Sequence, residues 1–435
     1  MQPSLNLNHR RDYLLILFSC LGMLGLLIRG TYLVINGIDY FNPSNTSSLA
    51  SSVMDALAML FCAGLILPML VYTLRRLKGK AIPQAGIRPV KFWQVLVFVV
   101  VWVIILIIGT VLASSFAYGW IAAAPFFLIG ISLPILCILW VGVGGIPVGS
   151  RRRLWTVFGF GMVGSTVAAV LMEYLVIGVA ILAIGALEAS NPALRTFVDQ
   201  IRSQVANANP GDVENLVTVL DPYLTNPLII LSILVFASLL APAIEEAAKP
   251  AVIWFMGKRL RSPAEGFVLG ALCGAGFAML EGLMAASGAT QLLGFGLAGR
   301  AAASLMHIIS SGIFGWGIAS ARLEKRYGRL VLSYLTSISI HGLWNGAAVV
   351  AVYGSLRGIT QNTLQLDLPN ALFLVGGVGI LFLELVVMLA AFPLINRIMR
   401  KSTQTADQSS MKSDIIAPIL SSNARETNGL DSKSN

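Results

Sequence analysis

Ala-Pro-Ala-Ile-Glu-Glu-Ala-Ala-Lys-Pro, residues 241–250, is the stretch whose reading decides the fold. Three ionisable side chains, Glu245, Glu246 and Lys249, stand there inside an apolar run from Leu228 to Met256. A run of that length spans a bilayer. Each charge in a spanning helix costs roughly 2.5–3.5 kcal/mol on insertion scales, so such residues persist where they pair, line a wet cavity or do chemistry. Glu245 and Lys249 are four apart and share a helix face; Glu246 points about 100° away and needs another partner. Pro250 and Pro242 lack an N–H, which frees the carbonyls of Glu246 and Ser238. The stretch reads as a polar, locally loosened helix in lipid.

The chain around it is of the same kind. Of its 435 residues, 56% are hydrophobic and 11% charged, too apolar for a water-soluble protein and expected of a polytopic membrane protein. The formal charge of +10 does not point to nucleic acid, because the basic residues cluster in short loops between apolar segments. Cys20, Cys62, Cys137 and Cys273 fall inside apolar segments, with no metal-ligand spacing and no disulfide framework. Arg10 and Arg11 before the first apolar run resemble a signal sequence, but no small-residue cleavage site follows, and the run reads as a retained span.

Length and apolarity predict about ten spans, near Leu14–Ile35, Val53–Tyr72, Phe92–Ala113, Trp120–Val143, Trp155–Leu187, Leu228–Met256, Ala264–Ser287, Ala301–Ser320, Leu330–Tyr353 and Ala371–Ile395. Lys and Arg follow every second span: Arg75 to Lys91, Arg151–Arg153, Lys258 to Arg261, Arg322 to Arg329 and Arg397 to Lys401. The positive-inside rule then predicts an integral protein of the cell membrane with both termini in the cytoplasm. In the long external loop, residues 188–227, Leu194, Phe197, Val198, Ile201 and Val205 repeat at helical spacing after Asn191-Pro192, and Asp212 would cap a second short helix. Residues 402–435, rich in Ser, Thr, Asn and charge, are expected to be disordered. Glu173 and Glu384 lie inside spans with no obvious sequence partner.

Beyond residue 240 the ionisable residues gather. Span seven carries Phe277-Ala-Met-Leu-Glu281, span eight opens with Arg300 and holds His307, and span nine has His341-Gly-Leu-Trp-Asn345. His341 and Asn345 share a face. Gly266, Gly270 and Gly274 form a stripe that lets a neighbouring helix approach closely. Taken singly, Glu245–Lys249 is a structural ion pair, a buried histidine a satisfied polar contact, and Asn345 interhelical glue. Together, three carboxylates, two histidines, an amide and two cations over four consecutive spans are costly to keep without a shared purpose. A carboxylate or histidine can take a proton from water, and histidine or asparagine can hydrogen-bond an oxyanion. Two His and two Glu can also hold a Zn²⁺-like ion that acidifies bound water. Both routes lead to hydrolysis of a peptide bond within the membrane. No H-E-x-x-H, no G-x-S-G and no pair of Asp residues inside spans is present. Counting ~1.5 Å per residue from the span ends places Glu245 toward the cytoplasm, Glu281 toward the outside and the histidines between.

Glu245-Glu246-x-x-Lys249, Phe277-Ala-x-x-Glu281, His307 followed by Gly312 and Gly317, and His341-x-x-Trp344-Asn345 resemble the PrsW family of intramembrane proteases, relatives of the CAAX-processing and bacteriocin-processing proteases. The resemblance covers about residues 228–350. Gly282 stands where the family usually has Asn, and Met306 where Pro is common. It implies that Glu245, Glu246, Glu281, His307 and His341 are catalytic, with Lys249, Asn345 and Arg300 supporting, and that Glu281, His307 and His341 are the candidate ligands of a divalent metal such as Zn²⁺. The expected organisation is all-α: an N-terminal membrane region of five spans (1–187), the external loop (188–227), a four-span protease core (228–353), a loop with the last span (354–396) and a cytoplasmic tail (397–435). The expected substrate is a transmembrane or membrane-associated protein. The rival readings are a non-catalytic membrane scaffold and a proton- or ion-coupled transporter. A scaffold would dispense with the paired glutamates, and a transporter would show repeated halves with matching broken helices; the glutamates are present and we find no such repeat.

Overall fold

A computed structural model describes residues 7–39, 46–115, 119–207, 226–256, 259–286, 293–360 and 368–430, with Val219 and Tyr223 as isolated positions. Among the described residues there is no strand, only one antiparallel bridge between Gln84 and Ser150. Ten helical stretches are long and apolar enough to cross a membrane: His9–Asn36, Leu49–Leu77, Phe92–Ser115, Gly119–Val143, Arg151–Ser190, Pro227–Ala248, Pro263–Ala285, Gly296–Glu324, Tyr327–Leu356 and Leu368–Thr403. They match the ten predicted spans in number and order, and the protein is an all-α polytopic membrane protein.

The spans are not equivalent. In span seven 89% of the most apolar window is buried and in span eight 83%, against 6% in span three. Spans seven and eight are thus the axis around which the others pack, and span three faces lipid. The glycine stripe explains the pairing. A Cβ on Gly270 would overlap the Ser311 carbonyl, one on Gly274 the His307 carbonyl, and one on Gly266 the Ala319 Cβ and Gly315 carbonyl. The two backbones therefore touch, which only small residues permit. On the other side of span seven, Gly276 lies against the Phe158 carbonyl of span five.

Two spans depart from regular α geometry. Span five contains a π-helical stretch, Phe160–Ser165, and span six another, Phe236–Leu240. Span six also does not run unbroken to Met256, as the apolar length predicts. Its helix ends at Ala248, turns at Lys249–Pro250 and resumes as a short helix, Ala251–Trp254. Pro250 has no N–H to continue the ladder.

Outside the bundle, Pro192–Asn207 is helical, in line with the spacing after Asn191-Pro192, while the helix expected after Asp212 lies outside the described residues. The last helix, Leu368–Leu430, continues through residues for which composition predicts disorder. Extending an existing helix adds one bond per residue fixed, without the cost of a new nucleus.

Candidate active site

The turn that ends span six places Glu245, Glu246 and Lys249 against spans seven, eight and nine. Lys249 is fully buried, and its ammonium lies 2.8 Å from Glu246 Oε1 and 2.9 Å from Glu245 Oε2. Sequence spacing gave Lys249 to Glu245 alone; at the end of the helix it also reaches Glu246, three residues back, which is on a neighbouring face. The third donor of the ammonium goes to His307 Nδ1, at 2.8 Å. The Phe277 ring lies beneath the same ammonium, 4.2 Å from centroid to nitrogen, a cation–π contact.

The two glutamates are in different situations. Glu246 is completely buried and its oxygens are taken: Oε1 accepts from Lys249 and from His341 Nδ1 at 2.9 Å, and Oε2 accepts from Ser311 Oγ at 3.3 Å. Glu245 retains 13% exposure of its side chain. Its Oε2 is paired with the Lys249 ammonium and faces His341 Nε2 across 3.8 Å.

The histidines are fixed from both ends. Because an ammonium only donates, His307 Nδ1 accepts and the ring proton of a neutral imidazole sits on Nε2. That nitrogen is 2.7 Å from Glu281 Oε2. Arg300 Nη2 is 2.8 Å from the same oxygen. By distance both are ion-pair contacts, although neither is aligned as a hydrogen bond to Oε2. Glu281 is the most exposed acid of the group, with 35% of its side chain accessible. His341 gives its Nδ1 proton to Glu246, which leaves the Nε2 lone pair turned toward Glu245. The two imidazole rings meet edge to face at 4.9 Å.

All five candidate acids and histidines, with Lys249 and Arg300, thus converge. Asn345 does not join them: its Nδ2 donates to the Ala237 carbonyl in the π-helical stretch of span six, at 3.2 Å. A π stretch leaves backbone carbonyls without their usual donors, so Asn345 anchors the bend that carries Glu245. Three further residues hold the same turn. Tyr334 donates to the Ala243 carbonyl at 2.8 Å, Ser165 to that of Lys249 at 3.0 Å, and Ser311 binds Glu246. Ser311 is four residues past His307 and Tyr334 seven before His341, spacings that put each on the face of its histidine; Ser165 has no such signal. Of the two partnerless acids, Glu173 lies within electrostatic reach of Glu245 and Glu281. Glu384 is buried in span ten with neither oxygen hydrogen-bonded.

The metal-ligand expectation changes in one member. Donor atoms of Glu245, His307 and His341 all lie within 4.8 Å of one another. Glu281, expected in that set, lies 2.7 Å from His307 on its Nε2 side and is outside this group of donor atoms. One carboxylate and two imidazoles are a donor set that suits Zn²⁺. The Lys249 ammonium is within 2.9 Å of the Glu245 and His307 members of this set.

Residues 214–382 match the family described as PrsW family intramembrane metalloprotease. The match includes every residue of the cluster except Ser165 and Glu173, and the resemblance read from the four motifs is borne out. No curated protein and no solved structure matches the chain.

Proposed function

Starting from the family match, we propose that the protein is an intramembrane endopeptidase that cleaves transmembrane substrates, with Glu245 as the base that activates water. The observation that carries this reading is the environment of Glu245 Oε2: it is paired with the Lys249 ammonium at 2.9 Å and lies 3.8 Å from a histidine nitrogen that bears a lone pair. A gap of that width is bridged by a water rather than by a direct bond. Such a water donates one proton to each acceptor and keeps its oxygen lone pairs for attack.

As the oxygen–carbon bond forms, Glu245 takes the water proton. The oxyanion needs donors that are free beforehand. Arg300 supplies one, since its Nε is buried without a hydrogen-bond acceptor, while its Nη2 is held by Glu281 at 2.8 Å. When the carbon–nitrogen bond breaks, Glu245 returns the proton to the leaving amine. Glu246 remains a fixed anion that orients His341 and compensates Lys249. Were a divalent ion bound, Glu245, His307 and His341 would hold it, and it would supply a water acidified to about neutral pH.

The loop charges support an orientation in the cell membrane with both termini in the cytoplasm. The test of function is cleavage of single-span substrates by the purified protein in bilayers, with and without chelator. We expect cleavage that survives chelation and is lost in Glu245→Gln. Absence of cleavage of every substrate together with unchanged behaviour of that variant would favour a scaffold.

A further inference from the structure

Away from the site just described, a cavity of about 710 Å³ opens where the basic ends of spans one, two, five and six converge. Its rim carries Arg11, Arg76, Arg152, Arg153 and Arg259. Two carboxylates answer them. Asp12, 1% exposed, is 2.6 Å from Arg152 and 3.5 Å from Arg76, and Glu265 is 2.5 Å from Arg153. Five cations against two anions leave an excess of positive charge, and Arg11 and Arg259 have no ion pair among the described residues. Burial, with Arg11 and Arg76 nearby and Asp12 opposing them, holds the Arg259 guanidinium below its ordinary range. Two buried polar atoms of the wall, Arg153 Nε and Thr156 Oγ1, make no hydrogen bond.

Below the rim the wall is apolar. Leu14, Leu15 and Phe18 of span one face Phe160 of span five, and the Phe18 and Phe160 rings stack at 5.8 Å. Phe255, on the stretch that leaves the catalytic turn, is 81% exposed, so the cavity is open on the side of the bilayer. A soluble anion would use the arginines and leave this wall empty. An amphiphile whose charge lies at the level of the span ends uses both.

We propose that this cavity binds one anionic phospholipid of the leaflet on the basic side of the membrane, its phosphate among Arg11, Arg76, Arg152 and Arg259 and its acyl chain along Leu14, Phe18 and Phe160. Guanidinium groups bind phosphate oxygens in bidentate fashion. Basic pockets between membrane helices on the cytoplasmic side bind such headgroups.

The test is native mass spectrometry of the full-length protein, delipidated in detergent and then offered phosphatidylglycerol or phosphatidylcholine at equal concentration. Wild type is expected to retain one phosphatidylglycerol at an occupancy at least tenfold above that of phosphatidylcholine. The double variant Arg11→Gln/Arg259→Gln, which breaks no ion pair, is expected to lose at least fivefold of that preference with an unchanged Tm. Should the double variant lose Tm, Arg259→Gln alone is read in its place. Equal occupancy of the two lipids, or full preference in the variants, overturns the proposal. So does displacement of phosphatidylglycerol by micromolar inorganic phosphate, which would assign the cavity to a free anion, or by a soluble acidic peptide, which would assign it to a protein.

Discussion

Lys249 Nζ and His307 Nδ1 stand 2.8 Å apart, with the ammonium also within 2.9 Å of Glu245. The lysine thereby contacts Glu245 and His307, two of the three residues whose donor atoms could hold a divalent cation. Its charge and a metal's charge are alternatives there. Removing it strands two carboxylates in the membrane interior.

Lys249→Met is accordingly expected to lose about 3–5 kcal/mol of stability, the usual consequence of breaking a buried pair by deleting one partner. Zn²⁺ is expected to restore part of that loss in the variant and to leave the wild type unchanged. Thermal unfolding with and without Zn²⁺, alongside metal content by mass spectrometry, checks both arms. Identical zinc responses in the two proteins would show that Lys249 and a metal do not compete.

Glu281 reaches His307 from the side opposite Lys249 and also holds Arg300. If it orients the ring, its loss should act as loss of a carboxylate behind a functional histidine does, typically lowering activity 10–100-fold. Glu281→Gln should therefore reduce kcat/KM by about that factor, with the larger share in kcat because the Arg300 donor acts on the oxyanion. A change confined to KM would place Glu281 in substrate binding instead.

The ten spans were legible because a bilayer demands about 20 apolar residues and loops that alternate in Lys and Arg. The site residues were legible because Glu245, Glu246, Glu281, His307 and His341 are expensive in lipid. What escaped was the geometry between them. The break at Lys249–Pro250 and the π stretch at Phe236–Leu240 change depth and bearing without changing apolarity. Counting residues along a straight helix therefore put Glu245 and Glu281 at opposite depths. The same blindness hid Ser165 and the true use of Asn345, since a freed carbonyl leaves no mark on composition.

The contact of spans seven and eight depends on glycine where a Cβ would overlap backbone. Gly270→Ala drives its methyl into the Ser311 carbonyl, which cannot rotate away as a side chain could. We expect a loss of about 1–3 kcal/mol, as for an overpacked core, read as a lowered Tm. Gly178→Ala is the control, because a Cβ there meets nothing within 4 Å. Equal effects of the two substitutions would show that the stripe does not set the packing.

Orientation is tested independently. Reporter fusions at residues 80, 152 and 260 should read cytoplasmic and fusions at 45 and 205 external, because the first three follow basic loops. A cytoplasmic signal at 205 would overturn the assignment of the 188–227 loop and with it the location of both termini.

The paired glutamates separate when each is changed to the near-isosteric glutamine. Glu245 is partly exposed, and its Oε2 lies between Lys249 and His341. Glu245→Gln removes the base and one of the two carboxylates paired with Lys249, so activity should fall about 10²–10⁴-fold, the usual worth of a positioned base, while Tm falls less than in Glu246→Gln because Glu246 still compensates the ammonium. Glu246 is wholly buried and binds Lys249, His341 and Ser311. Glu246→Gln should abolish activity as well, but through loss of the His341 tautomer and of the compensation of Lys249, and its stability should fall by about 3–5 kcal/mol. Leu239→Ala, at a side chain 54% exposed on the neighbouring turn, should leave cleavage largely intact. Cleavage rate and Tm measured on the same preparations distinguish the two roles. A stable, inactive Glu246→Gln beside an active Glu245→Gln would reverse the assignment of base and support.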